Sequence, residues 1–301
     1  MSHSQESAAT TVSSVNAESH ETELFLACLP PETPVYSYHD HPDLETLPTG
    51  SSFVVVKDFP PLMFRKKDEQ LPGRAEYSSS LQLLILKMPT NSHETAARCF
   101  ETSLMEVASR MGVRRRILQC GATRYYGRDR TKEADVSFKP TRYSHRKWPT
   151  MAVEIGWSET RAKLEKEIIW WIKHSHGDVR QGITIDIKQG SGNIEMISWV
   201  PTMSISPSRV RISSKERQVL SKAINHIPPP RIDQKIGIKR GKGSAGPTIT
   251  GGNLTIPFAS VLLDNPGEGE GDFVITAEEL LQDAELVWMA MDIEAEEKAR
   301  R

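Results

Sequence analysis

Two acidic residues in short alternating segments are the residues of this sequence best suited to do chemistry. Asp135 lies in KEADVSF, and Glu154 lies 19 positions later in TMAVEIGW. Both segments alternate apolar with polar residues, which predicts strands with a carboxylate on the polar face of each. Carboxylate oxygens are ligands that Mg²⁺ prefers, and a bound Mg²⁺ polarises a phosphoryl oxygen and acidifies an attacking water. The pair therefore indicates metal-dependent phosphodiester hydrolysis.

The same pair has a structural interpretation that requires no chemistry. By spacing alone, the commoner origin of one acidic residue in each of two strands is the solvent side of an amphipathic sheet. On that interpretation Asp135 and Glu154 are surface residues that bind nothing.

Other motifs in the chain are incomplete. GSGNIE and GEGEG lack the dinucleotide fingerprint, and GKGSAG lacks the end of a phosphate loop, so we expect no small-molecule cofactor. The nine histidines show no metal-ligand spacing and indicate solvated loop residues. The run Arg114–Arg116 indicates a solvated turn or, alternatively, a phosphate contact. GIKRGKG, with Lys239, Arg240 and Lys242, is a further candidate for a nucleic-acid or nuclear-import contact.

Composition limits the class of protein. The 301 residues are 38% hydrophobic and 26% charged, with a net charge of −1, so a globular core is expected and contact with nucleic acid would need a local basic patch. Three scattered cysteines predict neither a disulfide framework nor a zinc site. The polar N-terminus and the lack of a long apolar run predict no signal peptide and no membrane span. We expect an intracellular protein, nuclear or cytoplasmic and not secreted.

Periodicity predicts the elements that would position the two acids. A helix is expected over residues 92–111, with a capping box at Asn91 and Glu94 and a buried stripe of Phe100, Leu104, Val107 and Met111. The run ILQCGATRYYG reads as a strand that enters a turn at Gly127, and the two acid-bearing strands follow. Ser158 is the expected N-cap and Glu159 a first-turn residue of a helix that ends near His174. GITIDIK and NIEMISWV then form a hairpin.

Strands grouped around two helices imply a mixed α/β or α+β layer fold. We predict a disordered and irregular tail over residues 1–50, a core over 51–200 that begins with strands 51–59 and 81–88, and a C-terminal extension over 201–301 that packs on the core. The extension would contain a helix at 215–226, capped by Ser213 and Glu216, an apolar segment LTIPFASVLL and a helix opened by a capping box at Thr276 and Glu279.

KEADVSFKP, PTMAVEIGWSETRAKLEKEIIWWI and DVRQGITIDIK, in this order, resemble a group of uncharacterised fungal proteins. That group looks like divergent members of the PD-(D/E)XK, or restriction-endonuclease-like, superfamily. The likeness extends from about residue 92 to 288 and includes LTIPFASVLL and GDFVITAEELLQDAELVW. It implies a central mixed sheet flanked by helices.

The resemblance also implies roles for individual residues. Asp135 matches the first acid of the superfamily and Glu154 the second, both as ligands of Mg²⁺ or Mn²⁺. The catalytic lysine is expected two residues after the second acid, where this chain has Gly156. Because the lysine can migrate in this superfamily, the candidates to replace it are Lys188, Lys163, Lys166 and Lys132. Glu101, ahead of Glu106, is a candidate for a further metal ligand.

Two functions follow from these observations. The first is a metal-dependent nuclease, or a protein derived from one, that acts on the phosphodiesters of DNA or RNA. The alternative is a catalytically inactive nuclease-like domain that binds nucleic acid or protein. Gly156 and the lack of an obviously basic surface favour the alternative. A lysine ammonium within about 4 Å of the two carboxylates would favour the first.

Overall fold

The computed structural model describes residues 19–47, 51–67, 70–127, 130–157, 160–202, 227–241 and 243–300. The chain divides between Met88 and Pro89 into two compact units, whereas the predicted boundaries fall at residues 50 and 200. The predicted helix at 215–226, its caps Ser213 and Glu216, and residues 1–18 of the predicted tail lie outside the described residues.

The first unit contains a helix at residues 19–26, which we call α1, within the stretch 1–50 that was predicted to be a disordered and irregular tail. Strands β2 and β4 correspond to the predicted strands at 51–59 and 81–88. They lie in the order β1-β2-β4-β3, with β1 parallel to β2 and the other pairs antiparallel. The bounds are β1 Val35–Ser37, β2 Phe53–Lys57, α2 Pro61–Lys66, β3 Arg74–Ser78 and β4 Leu83–Lys87.

The second unit holds a seven-stranded sheet of order β13-β12-β11-β10-β9-β8-β5. Strands β9 and β10 are parallel and its other paired strands are antiparallel. Its elements are α3 Asn91–Arg110, β5 Ile117–Gln119, β6 Arg124–Tyr126, β7 Arg130–Glu133, β8 Val136–Pro140, β9 Met151–Gly156, α4 Arg161–His174, β10 Gln181–Ile187, β11 Ile194–Val200, β12 Arg231–Lys239, β13 Thr248–Thr250, β14 Leu254–Ile256, α5 Phe258–Leu262, β15 Phe273–Ile275 and α6 Ala277–Arg300. The predicted mixed architecture, a mixed sheet flanked by helices and followed by a C-terminal helix, is confirmed.

Helix α3 begins one residue earlier than its sequence pattern predicts. The side chain of Thr90, not that of Asn91, accepts the N–H of His93, at 3.3 Å. Thr90 follows Pro89 and has extended backbone angles, which an N-cap residue requires. The predicted stripe is confirmed by the burial of Phe100 and Leu104.

The segment KEADVSF is not one strand, as the alternation predicted, but two. Strand β7 ends at Glu133 and pairs with β6, whereas β8 begins at Val136 and pairs with β5 and β9. Ala134 packs in the aromatic cluster of Trp171, while Val136 packs in the larger core on the other face. The chain therefore changes sheets at Ala134 and Asp135.

Helix α4 packs closely on the sheet because two strand positions carry no side chain. A Cβ on Gly156 would lie 2.6 Å from Leu164 Cδ1, and one on Gly182 would lie 2.4 Å from Ile168 Cγ1. The side chain of Thr160 caps the helix by accepting the N–H of Lys163, at 3.2 Å. The predicted cap Ser158 and its neighbour Glu159 lie outside the described residues.

The C-terminal elements belong to the same core as the sheet. The predicted capping box is confirmed, since Thr276 N donates to Glu279 Oε2 at 2.8 Å and Glu279 N donates to Thr276 Oγ1 at 3.2 Å. Phe258 of α5 and Leu280 of α6 are buried in the cluster that contains Phe100. Among the described residues, no helix is both long and apolar enough to cross a bilayer.

Candidate functional site

The sheet brings Asp135 and Glu154 to neighbouring positions. Strands β8 and β9 are antiparallel, with Val136 opposite Val153 as the last pair. Continuing this register by one position on each strand puts Asp135 opposite Glu154. Asp135 is 3% exposed and Glu154 is 1% exposed. Neither is therefore a residue on the solvent side of an amphipathic sheet, as the structural interpretation requires.

Asp135 is held by groups from a strand and a helix. Its Oδ2 accepts the main-chain N–H of Ile155, at 2.6 Å, at the point where the β8–β9 pairing ends. The same oxygen lies 3.2 Å from Nε2 of His93, whose side chain is 1% exposed in the first turn of α3. Both contacts stabilise the ionised carboxylate, and the histidine contact does so most when the ring is protonated.

Glu154 is held from the side of α4. Its Oε1 accepts the indole N–H of Trp171 and lies 3.2 Å from the ammonium of Lys132. The same ammonium lies 3.3 Å from Oε1 of Glu167, which is also 2.5 Å from the ammonium of Lys163. A chain of alternating charges therefore runs from the strand into the helix.

The guanidinium of Arg130 adds a third cation to this network. Burial lowers the pKa of Arg130 to about 10, and the nearby Glu167 and Glu154 oppose that shift. The group lies over the ring of Trp170, with 5.5 Å from Cζ to the ring centroid. With a neutral His93, the formal charges of the network cancel. Its acids are Asp135, Glu154 and Glu167, and its cations are Arg130, Lys132 and Lys163.

Aromatic rings enclose the carboxylate of Glu154. Trp171 is fully buried and packs edge-on against Trp170, Trp148 and Tyr125, with ring centroids 5.0, 6.0 and 5.3 Å away. An apolar layer of this kind excludes water and lowers the local dielectric. Trp170 and Trp171 are both buried in the cluster that packs on this face.

Gly156 occupies the place where a lysine was expected, and packing explains why. The direction that a side chain would take from this position is filled by Leu164 of α4, which is 1% exposed. A lysine there would have to displace a buried leucine and separate the helix from the sheet. An ammonium does lie beside Glu154, 3.2 Å from its Oε1, but it comes from Lys132 on β7, one of the predicted replacements.

Of the other predicted residues, Lys163 belongs to the network through Glu167, and the rest are dispersed. The Lys188 ammonium pairs with Asp186 at 2.5 Å, and the Lys188 side chain is 50% exposed. Asp186 itself lies opposite Gly156 in the register of β9 and β10. Lys166 is half-buried on α4, and Lys163 contacts Glu167. Glu101 is half-buried on α3, whereas Glu106 is exposed.

These residues do not fit a metal ion. Within the described ranges, no group of three or more His, Cys, Asp or Glu side chains could hold one. One oxygen of each acid already accepts an N–H, and lysine or arginine cations lie where a divalent ion would add further positive charge. The donor set is that of a buried ion network.

His93 and Glu167 belong to the site, although the sequence did not point to them. His93 precedes Phe100 by seven positions and therefore lies on the buried stripe of α3. Glu167 follows Lys163 by four positions, which is ion-pair spacing on a helix. The expectation of solvated loop histidines is wrong for His93. Arg240 of GIKRGKG pairs with Asp292 at 2.6 Å, and Lys242 lies outside the described residues.

Comparison with known proteins gives distant structural likenesses only. No family model and no curated protein matches the chain. A presumed nuclease belonging to DUF820 from Anabaena variabilis ATCC 29413 is 15% identical, with a TM-score of 0.33 over 54% of this chain and 98% of that chain. The type IIG restriction endonuclease BpuSI is 13% identical, with a TM-score of 0.26 over 46% of this chain and 17% of that chain.

Proposed function

We propose that this chain is a non-catalytic, nuclease-like binding domain. The observation that carries the proposal is the state of Glu154, the predicted second acid. Its carboxylate is 1% exposed, accepts the Trp171 indole N–H and contacts the Lys132 ammonium. A catalytic carboxylate must reach a metal or a water at the substrate, and this one is buried within a neutralised network.

The energetics of opening support the same conclusion. Removing one partner from a buried ion pair costs about 3–5 kcal/mol, because the other charge stays buried and uncompensated. Access to Glu154 would require both Lys132 and the ring of Trp171 to move. The network therefore stabilises the contact between α4 and the sheet. Binding of a partner would then use other surfaces of the chain.

Metal titration and a cleavage assay test this proposal together. We expect calorimetric titration with Mn²⁺ up to millimolar concentration to give no saturable heat with wild type. Plasmid DNA and RNA should stay intact with Mg²⁺ or Mn²⁺. Glu165→Gln is the control for the loss of one carboxylate, because Glu165 is a surface residue that pairs with Arg161. Metal-dependent cleavage that Asp135→Asn and Glu154→Gln abolish, and Glu165→Gln leaves intact, would overturn the proposal.

One observation favours a second candidate, a Mg²⁺- or Mn²⁺-dependent nuclease. A lysine does accompany the second acid, because Lys132 lies 3.2 Å from Glu154. In that case Lys132→Met should remove cleavage with little change in metal binding. If the network is structural, Lys132→Met should instead lower the midpoint of urea unfolding, and adding Glu154→Gln should restore part of the loss. Lys235→Met, which breaks a half-exposed pair with Glu195, is the matched control for both outcomes.

A further inference from the structure

One edge of the seven-stranded sheet carries two basic turns side by side. Strands β5 and β8 pair there, with Ile117 opposite Pro140. The 3₁₀ turn Arg114–Arg116 leads directly into β5, and the 3₁₀ turn Thr141–Tyr143 follows β8 directly. Asp264 contacts Arg116 at 3.3 Å and Arg142 at 3.8 Å, so the two turns share one neighbour.

The basic residues of this edge face solvent. Arg114, Arg115, Arg142, His145 and Lys147 are all exposed, and we call them the basic edge. Across the part of the chain that the structure describes, no acidic side chain lies within ion-pair distance of Arg114 or Arg115. Asp264 and Glu270 pair with Arg116, and Asp264 also lies 3.8 Å from Arg142. The edge therefore has a net positive charge in a chain whose total is −1.

An aromatic ring lies among the arginines of this edge. Arg146, which follows the second turn, pairs with Asp178 at 2.7 Å, so the positive charge of the edge comes from its exposed residues. The aromatic ring of Tyr143 lies beneath the Arg142 guanidinium at 5.5 Å, beside His145. Arginines next to an aromatic ring are the combination that contacts both phosphates and bases.

We propose that the basic edge binds the phosphodiester backbone of a nucleic acid. The inference rests on the proposed binding role, and it places the contact away from Asp135 and Glu154. Those acids lie at one end of β8 and the basic edge at the other, about 20 Å apart along the strand. Three of the five residues of the basic edge are arginines, whose planar guanidinium matches a phosphate with two parallel hydrogen bonds.

Binding measurements on charge-matched variants test the proposal. Fluorescence anisotropy would use the full chain with labelled 20-nucleotide single strands and duplexes of DNA and RNA at about 50 mM salt. The test variant is Arg114→Gln, Arg115→Gln and Arg142→Gln together. The control removes the same charge elsewhere through Arg98→Gln, Arg231→Gln and Arg300→Gln, all at exposed positions. We expect at least about tenfold weaker binding for the test variant and less than about twofold for the control.

Several outcomes would overturn the proposal. Failure of the wild-type chain to bind any of the probes is one such outcome. Equal weakening of binding by the two triple variants is another, because it would indicate a diffuse charge effect. Polyglutamate that displaces the nucleic acid at equal charge would point to an acidic protein, and tighter binding to phosphatidylserine vesicles would point to a membrane. Equal melting temperatures of the two variants check that both are folded. None of these results bears on metal binding or cleavage, so failure of this inference is distinguishable from failure of the proposed function.

Discussion

At the scale of single residues, the fold buries carboxyl groups in two different ways. The Oδ2 of Asp135 accepts the Ile155 N–H and lies 3.2 Å from Nε2 of His93. Asp283 of α6 lines an apolar cavity with Cys99 and receives one hydrogen bond, from Ser103 Oγ at 2.8 Å. Burial raises the pKa of Asp283 from 3.8 to about 6, because one hydroxyl donor offsets little of the lost hydration. The first carboxylate lies between a main-chain donor and a histidine ring, whereas the second lies against an apolar cavity with a hydroxyl donor.

The raised pKa of Asp283 predicts how stability depends on pH. Between about pH 4 and pH 6 the folded chain binds more protons at this residue than the unfolded chain, so the contribution to stability is lost as pH rises through 6. Asp283→Asn should therefore raise the free energy of unfolding by about 2 kcal/mol at pH 7.5 and leave it unchanged near pH 4. Urea unfolding at the two pH values measures this difference.

Glu285→Gln is the control for this measurement, since Glu285 is exposed on the same helix. It should change the midpoint of urea unfolding little at either pH. A destabilising Asp283→Asn at pH 7.5 would contradict the prediction, and it would mean that the ionised carboxylate is better solvated than its apolar surroundings indicate.

At the scale of elements, the contact of α4 with the sheet determines the site. The helix approaches the strands at Gly156 and Gly182, and this approach brings Trp171 and Glu167 to Glu154 and Lys132. A residue of ordinary size at Gly156 would hold the helix away and separate these partners. The missing lysine and the closed ion network therefore have a common cause in packing.

Restoring a side chain at Gly156 should therefore destabilise the protein rather than restore catalysis. We expect Gly156→Ala to lower the free energy of unfolding by about 1–3 kcal/mol, the usual range for overpacking a core. Gly156→Lys should lower it further and yield no metal-dependent cleavage. Urea unfolding and the plasmid assay measure the two effects.

Leu164→Ala provides the matched test, because Leu164 fills the space beside Gly156. Alone it should destabilise by about 2–5 kcal/mol through the cavity that it leaves. Combined with Gly156→Ala, the loss should be smaller than the sum of the two single losses. Strict additivity would show that the two positions do not compete for space.

Much of the element order could be predicted, because helices and strands differ in apolar period. The buried stripe of α3, the hairpin of β10 and β11 and the capping box at Thr276 follow from local pattern. The break at Ala134 and Asp135 could not, since alternation continues through KEADVSF while its two halves pair with different strands. That pairing depends on residues distant in sequence, as does the burial that turns both acids into ion-pair partners.

At the scale of the whole molecule, the small net charge makes the location of charge decisive. A chain with a charge of −1 has no overall field that attracts a polyanion, so association with nucleic acid must depend on the counterions released at a local patch. The basic edge lies at the β5 side of the sheet, whereas Arg231 lies on β12 near the opposite side. Salt dependence can therefore distinguish local from diffuse attraction.

The salt dependence of binding should change only when the basic edge is altered. For duplex DNA the logarithm of the association constant falls with the logarithm of salt concentration with a slope of about −0.9 for each neutralised phosphate. Replacing Arg114, Arg115 and Arg142 by glutamine should make this slope less steep by about 2–3, because up to three contacts are lost. The control variant at Arg98, Arg231 and Arg300 should keep the wild-type slope to within about 1 although its net charge is the same. Equal slopes for the two variants between about 50 and 200 mM salt would show that these three arginines release no counterions, and the phosphate contacts would then have to lie elsewhere on the chain.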